Sequence, residues 1–287
     1  MIGDLAADHY LMLPPRHGKD EKRTATSSVW LPGGTGANAA ATAAVLGSQV
    51  TLYSFVGTDT LGPWLIAAIA ARGVRTDGVR IVPGNTTQAT ILLEHGDRQV
   101  IVDRGVADRL DDVDPGQLGS ADVVYVTGSA AAIGRIAGAG AGGLLIVGIE
   151  AGMADDPDLV AHRNADLMIT NSAGWPMFSR HAASVTAVET RGPRGAVIHT
   201  PSKPDRHIPG IAVDAVDETG AGDCLAGALC HYLGAGLHLA AACRLAVVAA
   251  GLSTLGLGAQ GSLPTDTEVR AAAAGGTVST ARSGGDR

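Results

Sequence analysis

The chain has 287 residues, enough for one large domain, and 46% of them are hydrophobic, enough for a sizeable core. Its formal net charge is −7 and only 3% of its residues are aromatic. It therefore lacks both the basic surface and the stacking rings of a nucleic-acid-binding protein, and we expect no nucleic-acid partner.

The start of the sequence and its longest uncharged segment predict neither a signal peptide nor a membrane helix. The start, MIGDLAADHY, has an acid at position 4 and no basic residue, unlike a secretory signal peptide. Residues 224–243 contain no Lys, Arg, Asp or Glu, but their glycines and histidines favour a buried helix pair over a membrane helix. Cys224, Cys230 and Cys243 form no CxxC motif, so we expect buried, reduced thiols in a cytoplasmic protein.

Short β-rich runs alternate with Ala/Leu-rich segments of helical length along most of the chain. Such alternation predicts an α/β fold in which a parallel sheet is covered by helices on both faces. The predicted strands are 49–57, 89–94, 98–103, 122–128, 144–150, 166–170, 196–200 and 206–214. The predicted helices are 37–46, 63–72, 129–137, 174–183, 222–234 and 237–254.

Two regions interrupt this alternation. Residues 5–31 predict a strand, a turn and a strand, and residues 86–103 predict a hairpin with the sequence ATILLE-HGD-RQVIVD between 89 and 103. We expect them to form a small β-sheet lid on a main domain that spans residues 1–270. The remaining segment, 271–287, is rich in Ala, Gly and Ser and predicts a low-complexity tail.

Two glycine-rich stretches precede predicted helices: PGGTGANAAATAAVLG (32–47) and DETGAGDCLAGAL (217–229). Glycine lets a ligand approach the backbone, and the first N–H groups of a helix attract anions. Asn38 is then either a polar cap or a ligand contact, and Asp223 is either a helix-start acid or a group that acts beside an anion. A third stretch, GAGAGG (138–143), follows a predicted helix and precedes a strand, which is the reverse of a dinucleotide loop, so we interpret it as a connector.

The motifs GGTGAN (33–38) and DETGAGD (217–223) together resemble those of the PfkB carbohydrate-kinase family, also called ribokinase-like. The likeness continues through MIGDLAAD (1–8), VGTDTLGPWLIAAIAARGV (56–74), TTQATILLEHGDRQVIVDRGVA (86–107), TRGPRG (190–195) and GAQGSLPT (258–265). The resemblance implies a ribokinase-like fold, with a central, mostly parallel sheet flanked by helices and a small β-sheet lid. It also implies transfer of the γ-phosphoryl group of ATP to a hydroxyl of a ribose- or fructose-like sugar.

The resemblance assigns the chemistry to the second glycine stretch. Asp223 would accept the proton of the attacking hydroxyl, and the amides of Gly220, Ala221 and Gly222 would form an anion hole for the transferring phosphoryl group. These roles fit phosphoryl transfer, in which positioning and charge stabilisation dominate.

The resemblance assigns sugar recognition to Asp8, Gly34 and Asn38, because carboxylate and amide groups suit pairs of hydroxyls. Arg104, in the lid hairpin, either reaches over the substrate or is a solvated strand residue. A closed lid would exclude water from the reaction. Since many members of the family pair through their lids, we expect a homodimer formed in this way.

On the nucleotide side, the resemblance points to Asn171, Thr190, Gly192 and Gly195 as ATP-binding residues. Mg²⁺ would bridge the phosphates and keep most of its waters, so no dedicated metal cage is expected. Asp217 and the 256–262 segment, with Ser262, resemble the monovalent-cation site of many members, which suits K⁺.

Three positions depart from the family pattern. Gly174 stands where an N-x-x-E motif would have glutamate, which weakens the expected contact to magnesium-bound water, and Ala6 and Thr35 replace an asparagine and a lysine typical of ribokinases. Two alternatives stay open. One is a nucleoside kinase of the adenosine type, although few aromatic residues are available to stack a base. The other is a catalytically silent sugar- or nucleotide-binding regulator.

Overall fold

The structure is a computed structural model that describes residues 1–15, 18, 22–94, 97–119, 121–140, 142–149, 164–179 and 184–275. Its strands are β1 (Ala6–Met12), β2 (Ser27–Gly33), β3 (Ser54–Gly57), β4 (Val79–Val82), β5 (Gln88–Glu94), β6 (Asp97–Asp103), β7 (Val123–Val126), β8 (Leu144–Ile149), β9 (Leu167–Asn171), β10 (Ala187–Thr190), β11 (Ala196–His199) and β12 (Arg206–Ile208). Its helices are α1 (Thr35–Val45), α2 (Leu61–Ala70), α3 (Ala130–Ala139), α4 (Trp175–Phe178), α5 (Ala221–Gly234), α6 (Leu239–Ser253) and α7 (Asp266–Ala273).

The main sheet is mostly parallel, as predicted. Its strand order is β12-β11-β10-β9-β8-β7, in which β7 to β10 are parallel, whereas β11 is antiparallel to both β10 and β12. Ile2 extends this sheet, because it forms parallel bridges both to Val126 in β7 and to Tyr53 beside β3. Strand β3 in turn pairs with β4 in parallel.

Both faces of the main sheet are buried, which explains why its strands are continuous apolar runs such as LLIVGI in β8. One face packs against α1, α5 and α6, and the other against α3. Among the described residues, no helix is both long and apolar enough to cross a membrane.

The two regions that interrupt the alternation form one four-stranded sheet, here called the lid sheet. Its order is β2-β1-β5-β6. Strands β1 and β5 are parallel, whereas β1 with β2 and β5 with β6 are antiparallel. The strands predicted in 5–31 and 86–103 are therefore confirmed, whereas residues 16, 17, 19–21, 95 and 96, which fall in the turns between them, lie outside the described residues. Strand β1 connects the lid sheet directly to the start of the main domain.

Three elements were not predicted: β4, β10 and α7. Strands β4 and β10 have only four residues each, VRIV and AVET, too few for a periodic pattern. Helix α7 extends to Ala273, into the segment predicted as the tail, and the rest of that segment, 276–287, lies outside the described residues. Its signal was present, because Thr265 and Glu268 form a capping box.

Several predicted bounds were too generous. In the 174–183 segment the structure has the single turn α4, and residues 180–183 lie outside the described residues. The stretch 206–214 contributes only the three residues of β12. The GAGAGG stretch does connect α3 to β8, with Gly140 at the end of the helix at φ 77°; position 141 is among the residues not described.

Helices α1 and α5 pack unusually closely, and this contact brings the two glycine-rich stretches together. A Cβ on Gly227 of α5 would lie 2.2 Å from the carbonyl oxygen of Ala39 in α1. The helix starts that precede this contact therefore lie side by side.

Candidate active site

Helices α1 and α5 each begin after a glycine, and any other residue at either position would strain the backbone. Gly34 precedes α1 at φ 96° and Gly220 precedes α5 at φ 75°, both in the left-handed region. Neighbouring atoms also leave no room for a side chain, since a Cβ would lie 2.6 Å from the Asp4 carbonyl oxygen at Gly34 and 2.4 Å from the Ala259 Cβ at Gly220.

Asp223 lies in the first turn of α5, and its carboxylate faces α1. The Nδ2 group of Asn38 donates a hydrogen bond of 2.9 Å to Asp223 Oδ2. The Oδ1 atom of Asn38 accepts a 3.0 Å hydrogen bond from Gln260 Nε2. Asn38 and Gln260 are both buried. A partly buried carboxylate at a helix N-terminus is thus held by a buried amide from a second helix.

The anion-hole residues differ in what surrounds them. The Ala221 N–H donates to the Glu218 carbonyl at 3.2 Å. By contrast, a Cβ on Gly222 would have no atom within 4 Å, so the space beside this residue is open. The open side of the helix start is therefore at Gly222.

Asp8 lies at the junction between the lid sheet and the main domain, and it is only 7% exposed. Its carboxyl group lies against Gly33, where a Cβ would clash with both carboxyl oxygens. Burial, followed by the charges of Asp4 and Asp217, raises the pKa of Asp8 to about 7. Asp8 is thus a buried acid whose ionised form is costly.

Two further acids hold the glycine loops in place. Asp4, which sequence analysis did not single out, accepts hydrogen bonds through Oδ1 from the N–H of Thr35 at 3.1 Å and from its hydroxyl at 2.5 Å. Asp217 accepts from the N–H and hydroxyl of Thr219 and, at 2.8 Å, from the N–H of Gly258. Burial opposes ionisation of Asp217, but these hydrogen bonds outweigh it and lower its pKa.

The proposed nucleotide residues lie at the carboxyl ends of two neighbouring parallel strands. Asn171 ends β9 and Thr190 ends β10, and the two are partners in the strand register. This edge is where open α/β sheets bind ligands. Gly192 has open space where a side chain would be, whereas a Cβ on Gly195 would lie 2.1 Å from the Ile208 carbonyl oxygen. Gly195 is therefore required by the fold itself.

The contacts of Arg104 do not place it beside the other predicted site residues. Its Nε donates to Asp108 Oδ1 at 2.9 Å, and both side chains are exposed. A different lid residue makes the connection: Arg98 Nη1 donates to the Thr219 hydroxyl at 2.5 Å. The strand registers place Arg98 on the same face of the lid sheet as Asp8.

Sequence analysis missed Arg98 and Gln260. The alternation in RQVIVD puts Arg98 on one face of its strand, but nothing in the sequence indicates that Thr219 lies opposite. Gln260 falls in the GAQGSLPT segment, and only the fold shows that its side chain reaches Asn38.

Proteins of known family and structure resemble this chain along most of its length. A family model described as "pfkB family carbohydrate kinase" matches residues 1–137 and 178–266. The ribokinase of Bacillus subtilis (strain 168) is 30% identical over 306 aligned residues, which cover 94% of this chain and 97% of that protein.

Two solved structures share the fold. The nucleoside kinase of Burkholderia thailandensis in complex with inosine superposes with a TM-score of 0.82 at 21% identity and 95% coverage of both chains. A putative ribokinase II from E. coli in complex with ATP and Mg²⁺ superposes with a TM-score of 0.76 at 21% identity, covering 94% of this chain and 96% of that one.

The raised pKa of Asp8 predicts that the stability of the protein depends on pH. Between its unfolded value of 3.8 and its folded value of about 7, the folded state binds the extra proton, so stability is lost as pH rises through that window. Asp8→Asn removes this cost. As pH rises from 4 to 8, we expect the free energy of unfolding of the variant to increase relative to that of the wild type, by up to about 4 kcal/mol. Urea unfolding at several pH values measures the difference.

Asp217→Asn is the matched comparison. Because hydrogen bonds lower the pKa of Asp217, the ionised side chain stabilises the folded state above its unfolded pKa, and this stabilisation is lost as pH falls. Relative to the wild type, this variant should therefore be less stable by a constant amount above about pH 4, and the difference should shrink as pH falls below that value. A difference between Asp8→Asn and the wild type that stays constant with pH would contradict the burial argument.

Proposed function

Because the chain belongs to the pfkB family of carbohydrate kinases, and is therefore a phosphotransferase with an alcohol acceptor, we propose that it transfers the γ-phosphoryl group of ATP to a sugar hydroxyl. The observation that carries the proposal is the position of Asp223. Its carboxylate lies at the start of α5, beside the open face of Gly222, and Asn38 holds it from the neighbouring helix.

In this proposal Asp223 takes the proton of the attacking hydroxyl as the bond to phosphorus forms. The N–H groups of Gly220 and Gly222, at the start of α5, would face the transferring group and stabilise its negative charge, whereas the Ala221 N–H would first have to leave the Glu218 carbonyl. Asp223 and these amides cooperate because the acceptor of the proton and the stabiliser of the charge lie on one helix turn.

The sugar would bind between Asp8 on the lid sheet and Asn38 on α1. Gly33 and Gly34 keep side chains out of this space, and the Asp8 carboxyl already lies against Gly33. Hydroxyl groups of a sugar would supply hydrogen-bond donors to Asp8, which offsets the cost of burying its ionised form. Arg104 belongs to this proposed site only if it leaves Asp108 when the lid closes.

ATP would occupy the edge formed by Asn171 and Thr190, with Gly192 allowing close approach and Gly195 shaping the turn. When bound, Mg²⁺ would neutralise the phosphate charge. We expect this ion to be held mainly by phosphates and water rather than by a cage of protein side chains. A monovalent cation such as K⁺ would bind Asp217, whose lowered pKa keeps it ionised, together with Ser262.

The aromatic residues favour a sugar over a nucleoside as acceptor. Tyr10 is completely buried. Trp30 stacks on His9 with the ring centroids 4.1 Å apart, and His9 points to the opposite face of β1 from Asp8. The Tyr53 hydroxyl donates to the Gln117 carbonyl. None of these three rings is therefore placed to stack a base beside Asp8.

A panel assay tests the proposal directly. ADP formation is measured with ATP and Mg²⁺ over pentoses, hexoses, their phosphates and nucleosides. Turnover on sugars supports the proposal, and turnover on nucleosides alone would support the nucleoside kinase instead. Binding of sugar or ATP without turnover would identify a silent regulator, which Gly174 in place of the family's glutamate favours but the arrangement around Asp223 does not.

We also propose a homodimer in which two lid sheets meet. The outer face of the lid sheet exposes Trp30 and Ile101, which are 40% and 54% exposed. A second copy would cover these apolar groups. An isolated small sheet is marginal in water, so a partner would also stabilise the lid.

Asp223→Asn tests the base. The substitution preserves the shape of the side chain but removes the proton acceptor, so we expect kcat to fall by roughly 10²–10⁴. Binding of ATP, measured by calorimetry, should change little. A variant that keeps most of its turnover would show that Asp223 is only a helix-start acid.

Gly222→Val tests the anion hole without removing a reactive group. The side chain enters open space, so the protein should fold, but it would occupy the proposed phosphoryl position and lower kcat by about 10². Gly220→Ala is the contrasting variant, since its Cβ clashes with Ala259 and should lower the melting temperature instead. Normal turnover by a folded Gly222→Val enzyme would remove these amides from the mechanism.

Sugar binding should order the lid. We expect a sugar substrate to slow amide hydrogen exchange in residues 86–103, because it would bridge Asp8 and Asn38 and favour the closed state. Asp8→Ala should abolish this slowing while ATP binding persists. Exchange that is unchanged at saturating sugar would place the substrate elsewhere.

A further inference from the structure

We propose that Gln260 is a positioning residue that fixes the amide of Asn38 and, through it, the carboxylate of Asp223. The inference deepens the proposed function and rests on it. Its basis is a continuous chain in which Gln260 Nε2 donates to Asn38 Oδ1 at 3.0 Å and Asn38 Nδ2 donates to Asp223 Oδ2 at 2.9 Å. The three residues come from three separate parts of the sequence.

The direction of this chain is determined by chemistry. An ionised carboxylate only accepts hydrogen bonds, so Asn38 must turn its NH₂ group towards Asp223. The Asn38 oxygen then faces Gln260, which must donate a hydrogen bond from its own NH₂ group. Both amides therefore have one orientation that satisfies the chain, and the negative charge of Asp223 selects it.

This series of hydrogen bonds leaves one buried polar atom without a partner, which costs free energy. Gln260 is only 3% exposed, and within the described part of the molecule its Oε1 is buried without a hydrogen-bond partner. Turning the Gln260 amide over would partner Oε1 no better, because it would then face the Asn38 oxygen. A buried glutamine whose acceptor oxygen has no partner contributes little to the free energy of unfolding. We therefore infer that the Gln260 side chain serves to orient Asn38.

The backbone around Gln260 is anchored independently of its side chain. Its carbonyl accepts a 2.9 Å hydrogen bond from Arg72 Nη2. The Gly258 N–H donates to Asp217, and Ala259 packs directly against Gly220. Replacing the Gln260 side chain should therefore leave the 256–262 loop in place, and its effect should be confined to Asn38 and Asp223.

Without Gln260, the Asn38 amide is free to turn its oxygen towards Asp223 or to rotate away from it. Asp223 would then spend less time in the orientation that accepts the hydroxyl proton. Since ATP binds at the Asn171–Thr190 edge, the loss should appear in kcat, and the KM for ATP should change little.

The test compares Gln260→Met with Gln117→Met, a matched change at an exposed glutamine outside the site. On the sugar that the wild type phosphorylates, we expect Gln260→Met to lower kcat by roughly three- to tenfold, as the loss of one hydrogen bond implies. Gln117→Met should leave kcat unchanged. Gln260→Asn keeps an amide but is too short to reach Asn38, so it should lose as much kcat as Gln260→Met.

The decisive measurement is a double-mutant cycle with Asp223→Asn. If Gln260 acts through the base, Gln260→Met should not lower the residual kcat of Asp223→Asn any further. An equal loss in both backgrounds, a normal kcat for Gln260→Met, or a loss confined to the melting temperature would overturn the inference. A wild type that phosphorylates no acceptor would instead refute the proposed function, which keeps the two failures distinct.

Discussion

The close approach of α1 and α5 is the constraint on which the rest of the site depends. At Gly227 the absence of a side chain lets α5 approach the Ala39 carbonyl of α1, where a Cβ would lie at 2.2 Å. This contact brings Asn38 within 2.9 Å of Asp223, although 185 residues separate them in the chain. A larger residue at 227 would push the helices apart, and the role proposed for Asp223 as proton acceptor tolerates errors in position of only about 0.5 Å.

The same helix starts explain how several acids coexist in a small volume. Asp4 and Asp217 each accept hydrogen bonds from backbone N–H groups and a threonine hydroxyl, so their charges are compensated locally. Asp8 is the exception, because burial dominates and raises its pKa to about 7. The acid whose charge is least compensated is the one proposed to bind the sugar, whose hydroxyls would donate to it. In this proposal, the acid assigned to binding differs from the two structural acids in how few hydrogen bonds the protein itself gives it.

Local signals in the sequence were sufficient for the framework of this site. The glycines before α1 and α5 predicted both helix starts, and the alternation in residues 86–103 predicted the lid hairpin. Arg98 and Gln260 were beyond such signals, because their partners Thr219 and Asn38 lie 121 and 222 residues away in sequence. Long-range side-chain contacts leave no periodicity, so only the packing of the helices and the lid sheet reveals them.

These contacts also connect the lid to the base through one set of hydrogen bonds. Arg98 on the lid donates to Thr219, Thr219 donates to Asp217, and Asp217 accepts from the loop that carries Gln260. A path of this kind transmits a change only if one of its elements has two arrangements, and the lid sheet is the natural candidate. If the lid closes over a sugar as proposed, closure would act on the turn before Gly220 and on the loop behind Asn38 as well as excluding water, and Asp223, the proposed proton acceptor, would be held in place when the substrate is enclosed.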